Sequence, residues 1–213
     1  MTLLYQVPKG CYRCSIVKKN NMNKTVIIDY GAGNVKSVAF ACERLGINPV
    51  LSKDAKVIQE ADRVIFPGVG HADYAMQQLK ESNLVEVIKE LNQPVLGICL
   101  GMQLMCDYTE EGNVKGLGIF NVPVVRFADN LKVPHMGWNS LQNSNGLLAN
   151  LEEQVYFVHS YYVPLCNQTM ASCDYHGLFS AALIKDNFFG CQFHPEKSGS
   201  VGEEVLKRFL SLQ

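Results

Sequence analysis

The sequence predicts an α/β domain: a mostly parallel central sheet with flanking helices, to which antiparallel strands are added. Three observations carry this expectation. The first half alternates short apolar runs with helix-patterned stretches, as parallel strands joined by crossover helices do. The glycine-rich and polar motifs of that half fall directly after the apolar runs, where such sheets gather their functional groups. The second half changes to short β-rich runs separated by turn signals, which suits antiparallel additions to the same domain.

Taken in order, Thr25–Tyr30 (TVIIDY) reads as a buried strand and Val35–Leu45 as a helix closed by Gly46. Pro49–Leu51 and Arg63–Phe66 are short strands, and Ala72–Leu79 and Leu84–Leu91 are helical. Val95–Ile98 is a strand that breaks at Gly97-Ile98-Cys99-Leu100-Gly101 and continues with helix formers. The β runs of the second half are GLGIFNVPVVRF, HMGWNSL, EQVYFVHSYYV, QTMASCDY, SAALIKD and FFGCQFHPE. Between them, residues 143–153 read as a surface loop and helical turn with no evident chemistry. Val201–Leu212 is an amphipathic helix with Val205, Leu206, Phe209 and Leu210 on one side.

The length, 213 residues with 47% hydrophobic, suits one domain with a real core. Nineteen basic residues against twenty acidic ones leave neither a nucleic-acid footprint nor an acidic disordered block. The expected partner is therefore a small molecule or a protein. Of eight cysteines, only Cys11-Tyr-Arg-Cys14 has metal-ligand spacing, and it has no second ligand pair. Reduced thiols, no metal and no cofactor are expected. Residues 1–24 are expected to lie outside the fold as an N-terminal extension, and 25–213 to form the domain. No stretch is apolar for long enough to span a membrane, and the expected location is the cytoplasm.

Cys99 stands where a strand turns into a helix, with glycines two residues to either side. Glycines let a central side chain project from a cramped backbone, the logic of a nucleophile elbow, here with sulfur. A helix start beside the sulfur favours thiolate. Alone, the motif could equally be a packed cysteine at a turn. His194-Pro195-Glu196 supplies a base: residues two apart in an extended segment share a side, so Glu196 can reach His194 and fix its tautomer. Cysteine, histidine and an orienting carboxylate form a nucleophile set. Gly68-Val69-Gly70, after the strand Arg63–Phe66, could turn backbone N–H groups toward an oxyanion, or could be a plain strand-to-helix turn.

GICLGMQL, PGVG and HPEKS together resemble the class I glutamine amidotransferases. DYGAGN, PHMGWN and FVHSY narrow the likeness to the glutaminase subunits of imidazole glycerol phosphate synthase, over residues 25–213. The resemblance implies that Cys99 attacks the side-chain amide of L-glutamine, with His194 as general base and then acid, and Glu196 as its orienter. It implies oxyanion roles for Gly68, Val69 and Gly70, with the backbone at the valine reorienting for activity. It implies substrate contacts from Gln103, Ser160 and Tyr161. Ammonia would pass to a (β/α)8 cyclase in a heterodimer, making imidazole glycerol phosphate and an aminoimidazole carboxamide ribotide in histidine biosynthesis. Asn34, Trp138 and Lys197 would lie at that interface. From the residues alone, Asn34 could instead be a helix N-cap, Trp138 a core residue, Lys197 a solvated charge and Gln103 an exposed helix residue.

Three rival readings share much of this. A paralogue would feed ammonia to another acceptor, such as an amidino-sugar, with the same motifs. A thiol hydrolase of other substrates would not need Gln103 or the HSY motif. A non-catalytic partner protein would have no use for Cys99, His194 and Glu196 in combination.

Overall fold

A computed structural model of the chain describes residues 24–31, 33–128 and 130–212. Cys11-Tyr-Arg-Cys14 and the expected extension, apart from Lys24, lie outside the described residues. Lys24 itself is tied into the fold: its carbonyl accepts from the Asp62 and Arg63 amides, and its own amide donates to the Asp62 carboxylate.

The first half is the alternation expected. Strands β1 (Thr25–Ile28), β2 (Val50–Ser52), β3 (Arg63–Gly68) and β4 (Val95–Cys99) are interleaved with helices α1 (Val35–Arg44), α2 (Ala55–Gln59), α3 (Ala72–Glu81) and α4 (Leu84–Lys89). The sequence reading missed α2, a five-residue helix whose first amides are capped by the Asp54 carboxylate. After β4 comes α5 (Leu100–Leu104), then β5 (Cys106–Thr109), β6 (Val114–Lys115), β7 (Phe120–Arg126), β8 (His135–Ser140) and β9 (Gln154–His159). The chain continues through β10 (Tyr161–Pro164), β11 (Thr169–Asp174), β12 (Leu178–Lys185), β13 (Phe188–Cys191) and α6 (Gly199–Leu210).

Among the described residues the main sheet runs β2-β1-β3-β4-β13-β12-β10-β7-β5-β6, with β11 branching from β12, while β8 and β9 form a separate antiparallel pair. Contacts from β2 to β13 are parallel, and β12, β10 and β7 continue antiparallel. Every residue of β1, β3, β4 and β13 is buried, as parallel strands covered on both faces require. Strand β7 alternates buried and exposed positions, the half-buried pattern.

Because strand side chains alternate sides, each central strand feeds two cores. Val26, Ile28, Val64, Phe66 and Val95 pack with residues of α2, α3, α4 and α5 on one face. Ile27, Ile65, Leu96 and Ile98 pack on the other with α1, α6 and the β8–β9 pair. The α6 side chains expected inside, Val205, Leu206, Phe209 and Leu210, are all buried. The segment 143–153 is not merely a surface loop: Leu147, Leu148 and Leu151 are buried in this second core. Among the described residues no helix is long and apolar enough to cross a membrane.

Candidate active site

Strands β3, β4 and β13 end side by side, and the candidate site lies at their carboxyl ends. Cys99 closes β4 with φ 52° and ψ −110°, a strained conformation for a residue with a Cβ, which costs about 1–3 kcal/mol. The flanking glycines explain how the chain reaches it. A Cβ on Gly101 would lie 1.9 Å from the Phe66 carbonyl oxygen, and one on Gly68 would lie 2.7 Å from the Gly101 amide nitrogen. A Cβ on Gly97 would meet the Met102 backbone nitrogen at 2.8 Å. Glycine at these positions lets α5 start directly against β3 and β4, and the turn between them carries Cys99. With five residues, α5 aligns few peptide dipoles, so its field at the sulfur is smaller than a long helix would give.

His194 follows β13 in an extended conformation, ahead of a 3-10 turn at Pro195–Lys197. Its backbone is held at both ends: its amide donates to the Tyr156 carbonyl, and its carbonyl accepts from the Ser198 hydroxyl. The Gly202 position in α6 packs on this turn, where a Cβ would lie 1.9 Å from the Pro195 oxygen. Nδ1 of His194 lies 2.8 Å from Oε1 of Glu196, and both side chains are buried. Burial disfavours the charged imidazole, but hydrogen bonding to Cys99 and to Glu196 outweighs it and raises the His194 pKa to about 9.

Cys99 and His194 open onto a cavity of about 350 Å³. Val69 and Gly70 line it on one side and Ser160, Tyr161 and Gln103 on another, with Lys197 at its rim. Gly70 has φ 98°, open to glycine and strained for other residues. The Tyr30 hydroxyl, two residues beyond β1, donates to the Pro67 carbonyl and ties down the start of this segment. Gly68 is not in the lining; it is the close-contact glycine behind the elbow. Gln103 is not an exposed helix residue either: it is buried, and its Nε2 donates to the Tyr161 carbonyl at 2.9 Å.

The three residues assigned to an interface stand apart from the pocket floor. Asn34 precedes α1 without capping its amides, and its Oδ1 accepts from the Ser37 hydroxyl. Trp138 is exposed on β8 and meets Tyr156 of β9 edge-on, and the Lys197 ammonium lies over the Tyr156 ring, 6.0 Å from its centre. Trp138, Tyr156 and Lys197 thus form one continuous ledge leading to the cavity.

Four further residues belong to the site and were not read from the sequence as parts of it. Glu111 lines the cavity; burial raises its pKa, although its Oε2 accepts from the Ala72 amide. Gln192 is fully buried beneath Cys99. His159 lines the cavity and hydrogen bonds through Nδ1 to the Tyr161 carbonyl and through Nε2 to His135. Burial lowers these two imidazoles, to about 3 for His159 and about 4 for His135, so both are neutral at pH 7. The register of β8 on β9 pairs them directly. Only spacing within one strand is visible in a sequence, so this cross-strand pairing left no signal.

Comparison with known proteins agrees with the geometry. The model of the family "Glutamine amidotransferase class-I" matches residues 26–212. Imidazole glycerol phosphate synthase subunit HisH of Bacteroides fragilis strain YCH46 is 55% identical over 195 residues, 89% of this chain and 100% of that protein. The subunit of the same name from Pectobacterium atrosepticum is 48% identical with the same coverage, 89% and 100%. Among solved structures, a glutamine amidotransferase superposes with TM-score 0.70 at 18% identity, covering 87% of this chain and 96% of that one. PurLQS from Thermotoga maritima gives TM-score 0.67 at 16% identity, with coverage of 88% and 97%. These distant structures share the fold; the sequence relatives carry the finer kinship. The chain belongs to the class I glutamine amidotransferases and, within them, to the family of the HisH subunits of imidazole glycerol phosphate synthase.

Proposed function

We propose that this chain hydrolyses L-glutamine through a Cys99–His194–Glu196 triad and delivers the ammonia to a (β/α)8 cyclase subunit. That partner would use it to make imidazole glycerol phosphate and aminoimidazole carboxamide ribotide in histidine biosynthesis. One observation carries the reading above all. His194, oriented by Glu196 at 2.8 Å, opens together with the Cys99 sulfur onto a cavity whose polar lining includes Gln103, Ser160, Tyr161, Glu111 and Lys197.

The chemistry follows from these groups. The Cys99 sulfur adds to the amide carbon of glutamine, and negative charge develops on the carbonyl oxygen. Backbone N–H groups of the Val69–Gly70 segment are the nearest candidates to receive it once that segment turns inward. The C–N bond breaks as His194 gives its proton to the leaving nitrogen, which departs as ammonia. Water, deprotonated by His194, then attacks the thioester, releasing glutamate and restoring the sulfur. Gln103, Ser160 and Tyr161 would hold the amino-acid head, and Glu111 suits its ammonium group. Asn34 and the ledge of Trp138 and Lys197 would face the cyclase.

The test is glutamine hydrolysis by the chain alone, then with the cyclase subunit and its nucleotide ligand. Ligand-dependent stimulation, lost at least about a thousand-fold in Cys99→Ala, is expected. Fast hydrolysis without a partner would leave the triad and remove the coupling. Complex formation with no hydrolysis in either case would remove the triad.

A further inference from the structure

We infer that Gln192 is a positioning residue for the nucleophile: it holds a side-chain N–H against the Cys99 sulfur, at the end of a hydrogen-bond chain whose direction is set by the Tyr161 carbonyl. The inference deepens the triad reading and rests on it.

The direction follows from donor and acceptor inventory. An amide side chain can be turned either way, so its oxygen and nitrogen must be assigned from their partners. The Tyr161 carbonyl oxygen can only accept. The end of Gln103 that faces it at 2.9 Å is therefore the nitrogen, Nε2. That nitrogen has a second hydrogen, and 2.9 Å away lies Oε1 of Gln192. With its oxygen so engaged, Gln192 presents Nε2 to the Cys99 sulfur at 3.7 Å. Reversing Gln192 would set two N–H groups against each other, and reversing Gln103 would set two oxygens together at Tyr161. The chain is consistent in one direction only.

Burial makes the contact consequential. Gln192 is 0% exposed, so no solvent competes for the amide, and an unmade hydrogen bond there would be costly. A thiolate is a better acceptor for that N–H than a neutral thiol. Gln192 and Phe193 lie in the bend that follows β13, and Phe193 is buried in the core, which anchors the chain between Gln192 and His194. The other titratable groups around the sulfur are Tyr30 from just beyond β1, Cys191 from β13, and Glu196 behind His194. His159, Glu111 and Lys197 face it across the cavity. His194 must release its proton to the leaving nitrogen during the reaction. Gln192 does not titrate, so its contact persists through the cycle. The same chain joins the nucleophile to Gln103, a wall of the substrate cavity.

The test is the pH dependence of Cys99 alkylation by iodoacetamide in the full chain, read by mass spectrometry of the Cys99 peptide. Wild type, Gln192→Met, Gln192→Glu and His194→Gln are compared, each with its melting temperature. Gln192→Met keeps the length and removes the N–H; its midpoint is expected to rise by about one pH unit or more. Gln192→Glu adds charge and is expected to move it further. A folded Gln192→Met with the wild-type midpoint would overturn the inference. If His194→Gln leaves the midpoint where it was, the triad reading fails instead. Wild-type protein gives a second reading that needs no core variant. The ¹⁵N side-chain amide signal of Gln192 is expected to titrate with the alkylation midpoint and to stop doing so in Cys99→Ser; a flat wild-type signal would equally overturn the inference.

Discussion

The two walls of the cavity are built on different physics. The elbow wall, from β3, β4 and α5, is positioned by backbone touching backbone: Gly68 and Gly101 exist where any Cβ would strike a main-chain atom. The facing wall, from β8, β9 and β10, is positioned by a polar chain. Asn139 reaches His135, His135 reaches His159, and His159 shares the Tyr161 carbonyl with Gln103. A steric site either fits or does not. A polar one weakens by degrees and responds to pH.

Breaking the comparison at its strongest point means substituting Gly101. Gly101→Ala puts a carbon 1.9 Å from the Phe66 oxygen, between two elements that cannot both move aside, and is expected to cost about 3 kcal/mol or more in urea unfolding. A small loss would show that the elbow is softer than its contacts suggest. The polar wall should instead reveal itself in acid. His159, held near a pKa of about 3 by burial, takes up its proton near pH 6.5 when the chain unfolds. The unfolded state thus binds more protons between those values, so the contribution of His159 to stability is complete above pH 6.5 and drains away as pH falls toward 3. Glutamine can donate to Tyr161 and accept from His135 without titrating. His159→Gln is therefore expected to lose about 2 kcal/mol less than wild type between pH 7 and pH 4. Equal slopes would mean that the buried histidines are not the acid-sensitive groups. The smallest effect sharpens the elbow again. Cys99→Gly removes the nucleophile but relieves a positive φ, and is expected to raise stability by about 1 kcal/mol while abolishing hydrolysis.

The same contrast governs what could be read from the sequence. The elbow wall is local: glycines, cysteine and the apolar run before them lie within a few residues, so the turn and the cysteine it carries were legible in GICLG. His194 and Glu196 are equally local to one another. The parallel strands announced themselves because burial on both faces leaves uninterrupted apolar runs. Gln103, Ser160 and Tyr161 were named from the resemblance, but the bonds of the polar wall were not legible, because they join distant residues: Gln103 with Gln192, and Gln103 with Tyr161. The histidine pair depends on a β8–β9 register that no single-strand pattern encodes. Short elements also escaped. Helix α2 is too brief to show a period, and β5 acquires its role from parallel pairing with β7 further along the chain. Leu147, Leu148 and Leu151 looked like loop residues because the core that receives them comes from other segments.

The sheet order has a consequence for how the protein comes into being on the ribosome. Strand β13, the last in chain order, does not lie at an edge; it is inserted between β4 and β12. During synthesis the two halves of the sheet therefore face each other across an unfilled slot until Phe188–Cys191 has emerged. His194 follows that strand by three residues, so in the proposed triad the Cys99 made early on β4 would wait without its base. Closing the slot and bringing His194 to the sulfur would then be one event. Such long-range pairing is slow to form and exposes apolar strand edges meanwhile, so a nascent chain stalled before β13 would be both catalytically silent and a natural client for chaperones.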